Sequence, residues 1–262
     1  MAQLTLRVGD RTTACKSSPV SIVDRTEPEP PTLTSDPYGT DIYTEPPGEP
    51  DTLNSLGPLR PLAGVWQGTK GSDDHPVVEG SLHQEFDEHY ELQPIDFQTN
   101  GPQIYYGLRY HTHILQADQL ETFHDQIGYW LWEPAASMIT FTLAIPRGQV
   151  LLAAGPADVD AKEFELTAVL GSDVHGILSN PFLYRAFRTT TYRMHVTAND
   201  DGTWSYEEEG VLQIPGRDEP FHHIDRNTLH KIAEATPNPL ANLVQGDASL
   251  GIGSLRNERG SF

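Results

Sequence analysis

Residues 62–71 read LAGVWQGTKG, and the segment Gly64-Val65-Trp66-Gln67-Gly68 inside that stretch decides how the rest is read. A tryptophan set between two glycines on a strand works as a plug with room around it. The indole offers a large apolar surface that closes the bottom of a β-structure, and the glycines let the chain bend and pack closely. Just upstream, LGPLRPL places a proline-bounded turn or short helix before the strand.

Downstream the chain alternates between apolar and polar residues in short segments: 81–92, 103–115, 120–133, 138–145, 149–154, 162–170, 189–198 and 203–214. Turn sequences such as Asn100-Gly101, Pro146-Arg147-Gly148 and Asp200-Asp201-Gly202 separate them. Nine or so strands at this spacing predict an all-β antiparallel meander, and 21 Pro and 22 Gly suit it better than a helical bundle. A sheet of this size with one polar face must close or stack, because open edges invite aggregation. The expectation is an up-and-down β-barrel of about ten strands whose interior holds one small ligand. A short helix or loop is expected at 179–187 near a barrel end. The segment 225–235, DRNTLHKIAEA, reads as a short terminal helix, with continuation of a strand as the alternative.

Residues 1–57 differ in texture. The stretch 26–50 holds seven prolines and many acids, so it cannot bury enough apolar surface to offset its ordering entropy. Three regions follow: an acidic proline-rich disordered arm over 1–57, with a weak strand at 4–8; the barrel over 58–232; and a flexible tail over 233–262. The arm is either a solvated leader or a recruiting segment for a partner. The formal charge of −20 disfavours nucleic acid and anionic membrane surfaces. One cysteine, Cys15, excludes a disulfide framework and cysteine-rich metal sites. No apolar run resembles a signal peptide or membrane span, so the cytoplasm is the expected location. A homodimer is the expected assembly on general grounds.

Gly64-Val65-Trp66-Gln67-Gly68 is followed in order by Leu108-Arg109-Tyr110-His111, His124-Asp125-Gln126-Ile127-Gly128-Tyr129-Trp130, Ile145-Pro146-Arg147-Gly148, and Arg188-Thr189-Thr190-Thr191-Tyr192-Arg193. The series closes with Phe221-His222-His223-Ile224-Asp225-Arg226-Asn227-Thr228-Leu229. This order resembles the nitrobindin-like haem-binding β-barrels, a calycin-like group also described as fatty-acid-binding-protein-like, over residues 56–232. The resemblance implies haem b near the barrel mouth, with its iron ligated by a histidine close to the C-terminus. It also implies binding of nitric oxide and isomerisation of peroxynitrite to nitrate. Two positions depart from the family pattern. Ile224 stands five residues before Leu229, where the family has its histidine, and His223 stands six before. Ile145-Pro146-Arg147-Gly148 replaces the usual His-Pro-Thr-Gly. The alternative function is a non-enzymatic carrier of a fatty acid or another apolar molecule.

On this reading His223 is the candidate iron ligand and His222 the second choice. Asp225 either orients an imidazole or, with Asn227 and Thr228, caps a helix. His124 is expected to hydrogen-bond bound ligand or a haem propionate, or else backbone at a strand end. Of Tyr129 and Trp130 one should face the cavity, and Tyr129 joins the cofactor-binding set with Trp66. Thr69 and Lys70 are placed at the pocket rim. Arg147 is a propionate partner or a solvated turn residue. His111 and His113 share one strand face and form a weaker metal candidate. Glu207-Glu208-Glu209 reads as a solvated edge. Nucleophile elbows, phosphate loops and zinc-protease motifs are absent from the sequence.

Overall fold

A computed structural model describes residues 36–116 and 122–236; the weak strand expected at 4–8 lies outside them. A 3-10 helix, Gly57–Leu62, leads into β1 (Gly64–Pro76). Next come β2 (Ser81–Pro94), β3 (Gln98–Asn100), β4 (Gln103–Gln116), β5 (Thr122–Glu133), β6 (Met138–Ile145), β7 (Gln149–Pro156), β8 (Glu163–Leu170) and β9 (Gly176–Ser179). The helix α1 (Pro181–Ala186), β10 (Arg188–Ala198), β11 (Trp204–Gln213) and β12 (Phe221–Ala233) complete the described chain.

The strands pair in the order β2-β1-β12-β11-β10-β8-β9-β7-β6-β5-β4-β3, and β2 also pairs with β4. That last pairing closes the barrel, with β3 left outside as a flap on β4. Ten long strands form the wall, and short β9 is wedged between β7 and β8. Two expectations are corrected here. The β8–β9 pairing is parallel, through Val169↔Gly176 and Leu170↔Ile177, so the sheet is not antiparallel throughout.

The segment 225–235 is no helix. Residues to Ala233 belong to β12, which pairs with β11 on one side and β1 on the other. Asn227 and Leu229 are buried while Arg226, Thr228 and His230 are exposed, a period of two that local capping residues do not override. The expected helix at 179–187 does form; Asn180 caps it by accepting from the Phe182 and Leu183 amides at 2.9 Å each. Packing onto the barrel starts before residue 58, since Thr52 and Leu56 are fully buried. Among the described residues no helix is long and apolar enough to cross a membrane.

One end of the barrel is filled. Trp66, Trp130, Trp132 and Trp204, all four tryptophans of the chain, are buried there. Trp66 stands edge-on to Trp204 with ring centres 6.3 Å apart. Its indole N–H donates to the Leu62 carbonyl at 2.8 Å, tying the plug to the 3-10 helix whose Leu59 and Leu62 cap this end. Gly68 lies against the Asn227 amide, where a side chain would not fit.

Beyond Gly68 the register of β1 slips by one residue against both neighbours. Gly68 faces Glu88 and Gly71 faces Phe86, while Gln67 faces His230 and Ser72 faces Arg226. A one-residue bulge of this kind reverses which side chains point inward. Trp66 and Gly68 face the interior before it; Gly71, Asp73 and His75 do so after it. The far half of the barrel stays open and holds the site.

Candidate functional site

The open half encloses a cavity of about 410 Å³. One wall is apolar, built by Leu143, Ile145, Leu151 and Met194 with Ile114. The facing wall comes from β1, β2, β11 and β12 and is acidic. The pairings Asp73↔Asp225 and Glu208↔Asp225 set three carboxyls abreast on three neighbouring strands. Like charges directly opposite across strands repel, so this row needs cations or protons.

His223 supplies the first cation. Its Nε2 lies 2.8 Å from Asp73 Oδ1 and 3.6 Å from Asp225 Oδ2. On the other side of the same carboxylate, His75 Nδ1 lies 2.6 Å from Asp73 Oδ2. Burial opposes the charge of His223, but the Asp73 hydrogen bond and the charges of Asp225, Asp73 and Glu208 outweigh it and lift its pKa to about 9. Burial likewise works against Asp73, yet the two histidines hold it below the usual carboxylate range. Burial raises Asp225 well above that range, with Glu208 and Asp73 adding repulsion. Burial also pushes Glu208 up to about 7. Asp225 and Glu208 therefore tend to keep their protons where Asp73 loses its own.

One layer deeper, Glu88 is buried and receives three hydrogen bonds. Thr112 Oγ1 donates at 2.7 Å, Tyr206 Oη at 2.8 Å and Asn227 Nδ2 at 2.8 Å. Burial still raises its pKa above the ordinary value. On the apolar side of the mouth, His124 faces the cavity and Nε2 pairs with Gln126 Oε1 at 3.1 Å. Burial holds its pKa below the histidine range, so it is neutral at pH 7. Arg147 lines the rim and donates from Nη2 to the Phe123 carbonyl at 2.5 Å. Gly210 stands opposite His223 on β11; a Cβ there would touch only Thr189 Cγ2, at 3.9 Å, so the missing side chain leaves space beside the imidazole.

His223, Asp225, His124 and Arg147 are thus brought together around one cavity. The other expected site residues are not. Trp66 lies in the filled end. Thr69 and Lys70 sit on the bulge and are exposed on the outer face, beside Arg226 and His195. Tyr129 is 43% exposed and points outward, because strict alternation on β5 gives the interior to Trp130, which is fully buried. His222 also points out, with Nδ1 2.6 Å from Glu209 Oε1. His111 and His113 stack on the outer face of β4, His111 paired with Asp125 and His113 with Thr122. Glu207-Glu208-Glu209 is not an edge, since β11 is paired on both sides; only Glu207 and Glu209 face outward, to Arg226 and Arg193. Asp73, His75 and Glu88 were not singled out by the sequence reading. The parity switch at the bulge hides the first two, while Glu88 follows the alternation Phe86, Glu88, Tyr90 on β2.

The family model for the THAP4-like, heme-binding beta-barrel domain matches residues 55–231, roughly two thirds of the chain. The chain belongs to that family. Haem is the group that this family's barrel binds. Among solved structures the chain is similar to Rv2717c from M. tuberculosis, at 21% identity and a TM-score of 0.48, over 69% of this chain and 96% of that one. No curated protein matches the chain.

The cavity fits what a member of the THAP4-like family must hold. A porphyrin needs an apolar slot, a nitrogen ligand and partners for two carboxylates. The leucine- and methionine-lined wall is such a slot, and His223 and Arg147 line the same cavity. A histidine that bonds a carboxylate through one ring nitrogen has the other to offer a metal, the arrangement common at metal-bound imidazoles. His223 meets Asp73 and Asp225 through Nε2, so loss of the Nδ1 proton from its imidazolium would free Nδ1 for a metal.

Proposed function

We propose that this protein holds haem b in the open half of the barrel with His223 as protein ligand, and that its activity is nitric oxide binding or peroxynitrite isomerisation. The observation that carries the reading is the inward orientation of His223, with one nitrogen fixed by Asp73 and the ring set in the cavity wall. When bound, haem would supply an iron that takes up a small nitrogen–oxygen ligand. Asp73 fixes the ring orientation of His223, and His75 in turn fixes Asp73. Arg147 would pair with a propionate through its planar guanidinium. Neutral His124 donates its one N–H from Nε2 to Gln126 Oε1, so its Nδ1 is bare and would accept a hydrogen bond from a ligand in the cavity. Leu143, Leu151 and Met194 exclude water from that space.

Titration of the purified protein with hemin tests this. A Soret band should grow to one equivalent, and His223→Ala should shift it and weaken binding at least tenfold, while His222→Ala should leave it unchanged. An unaltered spectrum in His223→Ala would remove His223 as the ligand. Stopped-flow mixing with nitric oxide and with peroxynitrite then separates binding from isomerisation: a nitrate yield no higher than with free hemin leaves only the binding role.

A further inference from the structure

We infer that the haem-free protein carries a second metal site: Asp73, His223 and Asp225 bind a divalent first-row transition ion such as Zn²⁺ or Co²⁺ at the cavity wall. One ligand atom from each of Asp73, His223 and Asp225 lies within 4.8 Å of the other two. Bonds of about 2.0–2.2 Å to such an ion set neighbouring ligand atoms about 3.0–3.5 Å apart. The observed 2.8 Å and 3.6 Å distances from Nε2 bracket that span, so an ion enters with side-chain shifts of a fraction of an ångström. One imidazole and two carboxylates form a mixed nitrogen–oxygen set suited to these ions. Three protein ligands also leave positions open toward the cavity.

The surroundings favour a cation. Glu208 stands beside Asp225 and Glu88 lies one layer deeper, so five polar side chains, Asp73, His223, Asp225, Glu208 and Glu88, gather on this wall. Asp73 is fully buried and Asp225 22% exposed, so the ligands are partly withdrawn from competing water. His75 bonds Asp73 Oδ2 and leaves Oδ1 for the ion, which is how an outer partner fixes a metal-bound carboxylate. The ion displaces the proton that Nε2 shares with Asp73, so binding releases protons to solvent. The site uses Nε2 of His223, the nitrogen that the haem reading does not use.

The test uses the full-length haem-free chain, in wild-type form and with His111→Ala/His113→Ala, which removes a rival surface pair. Titration with Co²⁺ should give visible d–d absorption saturating at one equivalent in both proteins. Asp225→Asn and Asp73→Asn should each weaken binding at least tenfold. Nitrogen NMR of the His223 ring in the wild-type protein should show Nε2 shifting on Zn²⁺ addition, a readout that stands if a variant fails to fold. Binding that survives Asp225→Asn, follows His111 and His113, or leaves His223 Nε2 unshifted overturns the site. Hemin titration is a separate measurement, so the two readings fail independently.

Discussion

Glu133, at the end of β5, is only 4% exposed, and Gln103 Nε2 donates to its Oε2 at 3.0 Å. Its Oε1 is buried without a hydrogen-bond partner among the described residues. Burial raises its pKa from 4.5 to about 7. A carboxyl whose folded pKa lies above its unfolded value holds its proton more tightly in the folded state. Its contribution to stability is complete below pH 4.5 and declines as pH rises to 7; above that it stays flat. At about 1.4 kcal/mol per pKa unit, the full penalty at pH 8 is about 3 kcal/mol, and local relaxation reduces it to about 1–3 kcal/mol. Glu133→Gln keeps an oxygen for Gln103 and cannot ionise. Urea denaturation of both proteins at pH 5 and pH 8 isolates this group, because every other carboxylate of this acidic chain is common to both. The variant should match wild type at pH 5 within about 1 kcal/mol and exceed it by about 1–3 kcal/mol at pH 8. Parallel stability curves across that range would show that Glu133 ionises normally and that the burial argument fails.

Two further predictions concern the two ends of the barrel. Trp66→Ala opens a cavity in the filled end and removes the bond to Leu62, and should cost about 3–5 kcal/mol by thermal or urea unfolding; a loss under 1 kcal/mol would mean that Trp66 does not plug the barrel. Gly210→Phe places a ring beside His223 at a position whose backbone accepts any residue, so circular dichroism should be unchanged while hemin affinity falls at least tenfold. Wild-type hemin affinity in that variant would move the haem site away from this cavity.

The barrel was legible because its signals are local. Alternation and turn residues located the long strands, and the Gly64–Gly68 motif identified which end is filled. The terminal segment was misread because Asp225, Asn227 and Thr228 resemble capping residues and the following residues favour helices. What makes it a strand is pairing with β1 and β11, and β1 begins more than 150 residues earlier. The site was legible only where strands keep strict phase. His223, His124 and Arg147 were found. The phase Trp204, Tyr206, Glu208 on β11 also pointed Glu208 inward, a signal masked by its two acidic neighbours. Asp73 and His75 carried no such signal, because a one-residue bulge between Gly68 and Gly71 changes the parity of everything after it.

The asymmetry of the cavity also separates the two ligand classes that this barrel architecture admits. A fatty acid entering head first brings its carboxylate against the row Asp73, Asp225 and Glu208. Each member of that row that ionises about 6 Å away opposes it by about 3 kcal/mol at an effective dielectric of 20, and the His223 imidazolium offsets one such charge. The same head placed at the rim meets Arg147, and its chain can then lie along Leu143 and Leu151. Haem divides its own charges the same way: its carboxylates suit the Arg147 rim, and its cationic iron suits the acidic wall that carries His223. An acyl chain uses the apolar wall alone and leaves the acidic wall facing hydrocarbon, where burying its ionised members is unfavourable. Haem placed as proposed would engage both walls, so the placement of charge around this cavity favours it over a fatty acid.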